Sequence, residues 1–312
     1  MSVRQLYNAL ASQDQQAQTP SSSDDIPAQL ELDLRAFGSI LIQQAGVLLR
    51  LPQIVMATAS VLYQRFWFVT SFKHFGVRDI ALAALFLSSK LEETPIRIRD
   101  LINVFDCLLK FVEYHQTRLA LTLARGAAQQ HAQSRPKEFR YLPMDYFAKE
   151  FYDLKEETVI GEMQILKRLG FDVSVQHPYG ALVNYLQVLE LANRSDVASK
   201  AWGFCNDALL TPLLATHPPG DVAAAAIYYA CAMITPAVSL PLKPRPWWEL
   251  FDVSSEETLV HITETVLDLY DRWALTSPDT DQSAVTIWEQ AAARKLPTTK
   301  SQVRTSLERQ SR

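Results

Sequence analysis

One stretch of this chain occurs twice. DIALAALFLSSKL at 79–91 and DVAAAAIYYACAM at 221–233 both open on an aspartate and run through alanines and aliphatics. Each is followed within a few residues by Thr-Pro, Thr94-Pro95 in one case and Thr235-Pro236 in the other. Small residues on most faces of a helix let other helices approach closely, so each copy reads as the central helix of a bundle. A second pair repeats with the first: EETVIGEMQILKRL at 156–169 and EETLVHITETVLDL at 256–269, both with acids in the first turn, where the helix dipole favours them. The copies differ at two charges. Lys90 falls on Ala232, and Glu162 falls on Ile262. Charges kept in one half of a duplication and absent from the other point to a site built on the first half alone.

Periodicity and breakers divide the rest of the chain. Residues 1–31 are expected to be a flexible N-terminal segment, Gln/Ser/Asp/Pro-rich over 13–25. The first bundle is expected over 32–175, with helices at 32–49, 53–69, 77–91, 97–111 and 153–169 and a partly helical insertion at about 112–140. Gly170 is placed to cap the last of these. His177-Pro178 opens the second bundle, 176–275, with helices at 179–191, 196–210, 221–233 and 254–273. The proline-rich loop 235–248 carries Trp247 and Trp248, expected to fold over that bundle. Residues 276–312 read as a flexible polar and basic tail. No strand pattern competes, so the fold class is all-α, two tandem bundles of about five helices each.

Composition narrows the function. The 312 residues leave room for two domains, and a net charge of −4 argues against a chain whose main task is gripping nucleic acid. Nine glycines disfavour Gly-rich phosphate loops. Three scattered cysteines fit neither a disulfide framework nor a zinc site, and the histidines lack metal-ligand spacing. No apolar run is long enough to span a bilayer. The expectation is an intracellular, soluble protein with no metal, no cofactor and no catalytic constellation. Glu92 and Glu93 are adjacent carboxylates after a helix, an arrangement that is usually solvated rather than catalytic.

Several strings resemble the cyclin family. LFLSSKLEE (85–93) is similar to the helix of the first cyclin box that ends in Ala-Ser-Lys-x-Glu-Glu; EMQILKRLGFDV (162–173) resembles the fifth helix of that box, and LYQRFW (62–67) its second. AGVLLRLPQ (45–53), RIRDLINVF (97–105), HPY (177–179), YLQVLE (185–190) and RPWW (245–248) resemble the cyclin L branch, with cyclins K and T as near relatives. Cell-cycle cyclins carry an Asp before the Arg-Phe of the second helix, paired with an Arg of the first; here that position is Gln64, and no partner Arg is evident. Cyclin L proteins often end in a long Arg-Ser-rich extension, and here only a short basic tail is seen.

The resemblance implies two tandem cyclin boxes and a nuclear regulatory subunit, not an enzyme. Such a subunit binds the αC helix of a cyclin-dependent kinase acting in RNA polymerase II transcription or pre-mRNA splicing, with splicing or polymerase-associated proteins as further partners. It implies Lys90 and Glu162 as polar anchors, with Leu87, Leu91, Ile165 and Leu166 lining an apolar groove. Without it, Lys90 is a solvated lysine at a helix C-terminus and Glu162 a surface glutamate. The aromatics Phe66, Trp67 and Phe68, with Phe72 and Phe75 nearby, divide evenly between core and an exposed patch, since consecutive aromatics cannot all face one core. The alternatives are a transcription-factor-like module of two cyclin folds, expected to be basic and to carry a Cys-rich ribbon, and a helical scaffold that activates no kinase.

Overall fold

The structure, a computed structural model, describes residues 10–126, 138–273 and 287–310. Those residues form α1 (Gln13–Ala17), α2 (Pro20–Ser23), α3 (Ala28–Leu48), α4 (Gln53–Phe66), α5 (Val77–Leu91), α6 (Ile98–Gly126) and α7 (Lys149–Arg168). Then come α8 (Pro178–Val188), α9 (Ser195–Ala208), α10 (Leu213–Thr216), α11 (Pro219–Met233), α12 (Glu256–Trp273), α13 (Ile287–Arg294) and α14 (Lys300–Gln310). There is no strand among the described residues.

The two alanine-rich copies are the central helices. In α5, Ile80, Ala81, Ala83, Ala84 and Leu85 have no exposed surface, and α3, α4, α6 and α7 pack around them. In α11 the run Val222–Ile227 is fully buried beneath α8, α9 and α12. A helix ringed on all sides cannot be amphipathic, and small side chains are what let four neighbours reach it. Trp247 is 1 % exposed and joins the second core, as expected for the proline-rich loop.

Gly170 caps the end of α7 as expected. It has φ +60°, and the Phe171 amide behind it donates to the Leu166 carbonyl, which meets an orphan acceptor of the last turn.

The bundles share a seam. Ala57 and Val61 of α4 belong to the second core although α4 belongs to the first bundle. Gln53 Nε2 donates to Tyr179 Oη and to Asn206 Oδ1, both at 3.2 Å. Thr58 donates to Glu92 Oε1 at 2.7 Å and meets His177 Nε2 at 2.8 Å.

His177 therefore pins the start of the second bundle to the first. Burial pushes its pKa below 6.5; Glu92 opposes the shift and Arg65 adds to it. A folded-state pKa lowered in this way makes the neutral imidazole a stabilising element. Its contribution is present above about pH 6.5 and is lost as pH falls through the lower folded value. Asp221, raised to about 6 by burial, acts in the opposite sense, so the pH profile of wild type alone mixes the two. The expected result is that the stability advantage of wild type over His177→Gln shrinks steadily from pH 7 to pH 5 in urea denaturation. A constant difference would exclude His177 as a titrating contributor.

Both ends of the chain depart from expectation. Residues 1–9 lie outside the described residues, but from Ala11 onward the N-terminal segment is ordered rather than flexible. The Ala11 amide donates to the Ala215 carbonyl at 2.8 Å, Ser12 and Gln15 form a reciprocal capping box, and Ser21 is buried. At the other end, residues 274–286 lie outside the described residues, and the expected tail then returns as two helices. α13 packs on α6, with Ala291 and Ala292 buried, and Val303 of α14 is fully buried. Arg294 ion-pairs with Asp33 at 2.6 Å, and Arg272 reaches the same carboxylate at 3.1 Å. The expected insertion also shrinks. Helix α6 runs on through Val112 to Gly126, and residues 127–137 lie outside the described residues. The returning strand of chain is tied to α6 by Tyr141 Oη to Asp106 at 2.9 Å and by the Met144 amide to Asn103 Oδ1 at 3.0 Å.

Candidate functional site

Lys90 lies in the last turn of α5, and Glu162 lies midway along α7. The two helices can run close because Gly161 faces Ala83: a Cβ placed on Gly161 would come within 2.8 Å of the Ala83 Cβ. That approach brings the Lys90 ammonium onto Glu162 Oε1 as an ion pair. The Lys90 Nζ also sits 4.1 Å from the centroid of the Phe86 ring, one turn back on its own helix. The lysine side chain remains 44 % exposed while Glu162 is 15 % exposed, so the carboxylate is fixed and the ammonium reaches outward. An ammonium carries three donors, and among the described residues Glu162 is its one hydrogen-bond acceptor. The remaining donors are available to carbonyls of a partner. In the second bundle Ile262 takes the position of Glu162 and is fully buried, so the duplicated half has no counterpart.

The apolar surface beside this pair differs from the one expected. Leu87 is 4 % exposed and Ile165 has no exposed surface; both belong to the first core, and Leu166 packs partly against it. Leu91, 38 % exposed, is the member of the expected groove that faces out. The reason is the register of α7. Phe151, Thr158, Gly161 and Ile165 recur at helical spacing as its buried stripe. This turns Tyr152, Val159, Ile160 and Met163 outward, each exposed by 45 % or more. Sequence reasoning missed these four. Their signal was a second apolar stripe at helical spacing on a helix already given one.

Phe66, Trp67 and Phe68 form no exposed patch. Phe66, Trp67 and Phe72 have no exposed surface, and Phe68 is 7 % exposed. The helix ends inside the run, and the Phe68 and Val69 amides turn back onto Arg65 and Phe66 carbonyls. Consecutive rings are thereby redirected into one core, where Trp67 stacks on Phe72 with centroids 3.6 Å apart. Glu92 accepts the Thr58 hydroxyl at the seam, a structural role. No group of three or more potential metal ligands occurs among the described residues.

Comparison with known proteins shows the family and the fold. Residues 5–174 match the family described as Cyclin, N-terminal domain. Cyclin-L2 of Mus musculus is 37 % identical over 267 residues, covering 86 % of this chain and 46 % of that protein. Cyclin-L1 of Homo sapiens is 37 % identical over 265 residues, covering 85 % of this chain and 45 % of that protein. The chain thus spans less than half the length of these curated relatives. Among solved structures, a chain of the yeast RNA Pol II CTD kinase CTDK-1 complex superimposes with a TM-score of 0.58 at 16 % identity, covering 94 % of this chain and 85 % of that one. A chain of the CAK complex from Chaetomium thermophilum bound to ATP-gamma-S gives 0.52 at 15 % identity, covering 92 % and 80 %. At those identities the likeness is one of fold. A family match over more than half of the sequence, and paired bundles built on matched alanine-rich helices, make this chain a member of the cyclin family.

Proposed function

We propose that this chain is a non-catalytic regulatory subunit that binds and activates a cyclin-dependent kinase working on RNA polymerase II transcription or pre-mRNA splicing, in the nucleus. The observation that carries the reading is the Lys90–Glu162 pair set beside the outward apolar stripe of α7, in the first bundle only. A kinase αC helix would lay its apolar face on Tyr152, Val159, Ile160, Met163 and Leu91. Lys90 would hydrogen-bond carbonyls near that helix, and Glu162 would hold Lys90 in place. Docking would press the αC helix inward, so that its glutamate pairs with the ATP-binding lysine of the kinase. The cyclin-L relatives and the kinase complexes in which the structural neighbours were solved support the choice of kinase class.

The test is co-expression with transcriptional cyclin-dependent kinases and an assay on a polymerase II C-terminal-domain peptide. Lys90→Ala/Glu162→Ala is expected to cut activation more than about tenfold, as for a paired anchor at the centre of an interface. The same substitutions should change stability by less than about 1 kcal/mol, because an exposed ion pair contributes little to folding. Full activation by the double mutant would sink the assigned site. Failure of wild type to bind any such kinase would sink the function.

A further inference from the structure

Asp207 of α9 uses one oxygen of its carboxylate within the fold. Oδ2 accepts the Tyr270 hydroxyl and ties α9 to α12. Oδ1 accepts no hydrogen bond among the described residues, and it is not sealed from solvent. Burial holds the Asp207 pKa above the usual 3.8, and the Tyr270 hydrogen bond is the influence that lowers it. No basic side chain acts on it. A carboxylate held partly out of water without a counter-charge is costly, and a cation supplied from outside would remove that cost.

The carboxylate stands in an open cavity of 420 Å³ where the two bundles meet. Its walls come from α3, α9, α11, α12 and the start of α13, so it is separate from the Lys90–Glu162 site on α5 and α7. Gln43 and Gln44 of α3 reach it, half-buried, and their amides make no hydrogen bond among the described residues. Tyr229 and Tyr270 also line it. Burial first, and the charge of Asp207 next, push both phenols to higher pKa, which sets both rings beside the carboxylate. No lysine, arginine or histidine is on the wall among the described residues. The arginines of α12 and α13, Arg272 and Arg294, turn to Asp33 instead. The cavity therefore offers one carboxylate oxygen, two amide carbonyls and two tyrosine rings, and it is net negative.

We propose that this cavity receives the guanidinium of an arginine side chain carried by a partner segment. A bare ammonium would fill a small part of a space that lies within the range of ligand pockets, about 300 to 1,000 Å³. A guanidinium is planar, can lie against a tyrosine ring, and spreads its donors over separate acceptors. One N–H would go to Asp207 Oδ1 and others to the Gln43 and Gln44 carbonyls, while the apolar stem packs on Ile40 and Leu210.

The experiment titrates the full chain with N-acetyl-arginine methylamide, at ionic strength fixed with sodium chloride, and reads thermal shift and ligand-observed NMR. The capped citrulline and capped lysine analogues and free arginine are run beside it. Saturable binding of the capped arginine is expected. Citrulline keeps the shape without the charge and should bind at least about tenfold more weakly, the worth of one charge-assisted hydrogen bond. The lysine analogue should also be weaker, and free arginine no tighter. Asp207→Asn keeps an acceptor for Tyr270 and should weaken binding about tenfold or more. Gln44→Lys places an ammonium in the cavity, breaks no hydrogen bond among the described residues, and should abolish the response; it decides the matter should Asp207→Asn not fold. The proposal is overturned by no saturable response in wild type, by an undiminished response in Gln44→Lys, or by citrulline or lysine binding as tightly. Tighter binding of free arginine would overturn the assignment to a partner segment.

Discussion

Replacing Gly161 with valine is expected to cost about 2–3 kcal/mol of stability and to abolish kinase activation together. A Cβ at this position meets the Ala83 Cβ at 2.8 Å and the Asp79 carbonyl oxygen at 3.4 Å. Neither neighbour is the loose end of a side chain. One is a methyl fixed on the central helix and the other is backbone, so the only relief is to push α7 off α5. Inserted methylenes in a close-packed seam carry a penalty of the size given above. The functional loss has the same origin: Glu162 follows Gly161 directly, and Val159, Ile160 and Met163 lie within one turn of it. A double-mutant cycle separates this contact from a general loss of helix quality. Gly161→Ala alone should destabilise, even though alanine favours helices over glycine by about 1 kcal/mol. Combined with Ala83→Gly, which removes the facing methyl, it should recover much of the loss and the kinase response with it. Additive costs would show that the seam is not where the strain arises.

The same seam shows what could be read from sequence and what could not. The alanine-rich repeat fixed α5 and α11 as central helices, because a run of small residues has no other economical place in a helical protein. Lys90 and Glu162 were legible because the second copy lacks them. The lining of the groove was not. Leu87, Ile165 and Leu166 are what the family resemblance implies for that lining, whereas their orientation depends on which faces of α5 and α7 are turned to each other. That was written in Gly161 and Thr158, small residues at the closest approach. The aromatics 66–68 misled because the reading assumed a continuous helix, while α4 ends at Phe66. The C-terminal tail was judged by its polarity. Its few apolar residues, Trp288, Ala291, Ala292, Leu296 and Val303, recur at spacings that suffice to dock it on α6 and the first core.

The N-terminal boundary was misplaced for a reason that leads to the largest expected effect on stability. A buried Arg paired with the second helix was not evident from the sequence, and Gln64 stands where cell-cycle cyclins carry an Asp. The structure shows the Arg. Arg35 of α3 is 2 % exposed, its Nη1 donates to the Gln64 carbonyl at 3.0 Å, and Gln64 Nε2 returns a bond to the Arg35 carbonyl at 3.3 Å. The missing carboxylate comes from one turn earlier on the same helix. Glu31 Oε1 accepts from Arg35 Nε at 3.0 Å and from Nη2 at 2.8 Å, and its other oxygen accepts the Thr19 hydroxyl at 2.6 Å. Burial lowers the Arg35 pKa, and Glu31 is the main influence opposing it. Glu31→Ala therefore leaves a guanidinium in the core with no counter-charge, which is expected to cost about 3–5 kcal/mol. It should also free Thr19, the cap of α2, and make the segment before α3 the first site of proteolysis. Gln64→Asp supplies a carboxylate from the second helix, the arrangement of the cell-cycle cyclins. In the Glu31→Ala background it should restore most of the stability without restoring protease resistance at the N-terminal segment, because the Thr19 hydroxyl still lacks the α3 carboxylate that it donates to. Urea denaturation and limited proteolysis of the four variants read the two effects separately. If Glu31→Ala unfolds at the wild-type midpoint, or Gln64→Asp recovers nothing, Arg35 is not held by charge, and its place in the core would have to rest on its stem and on its stacking over Phe68, 4.4 Å from the ring centroid.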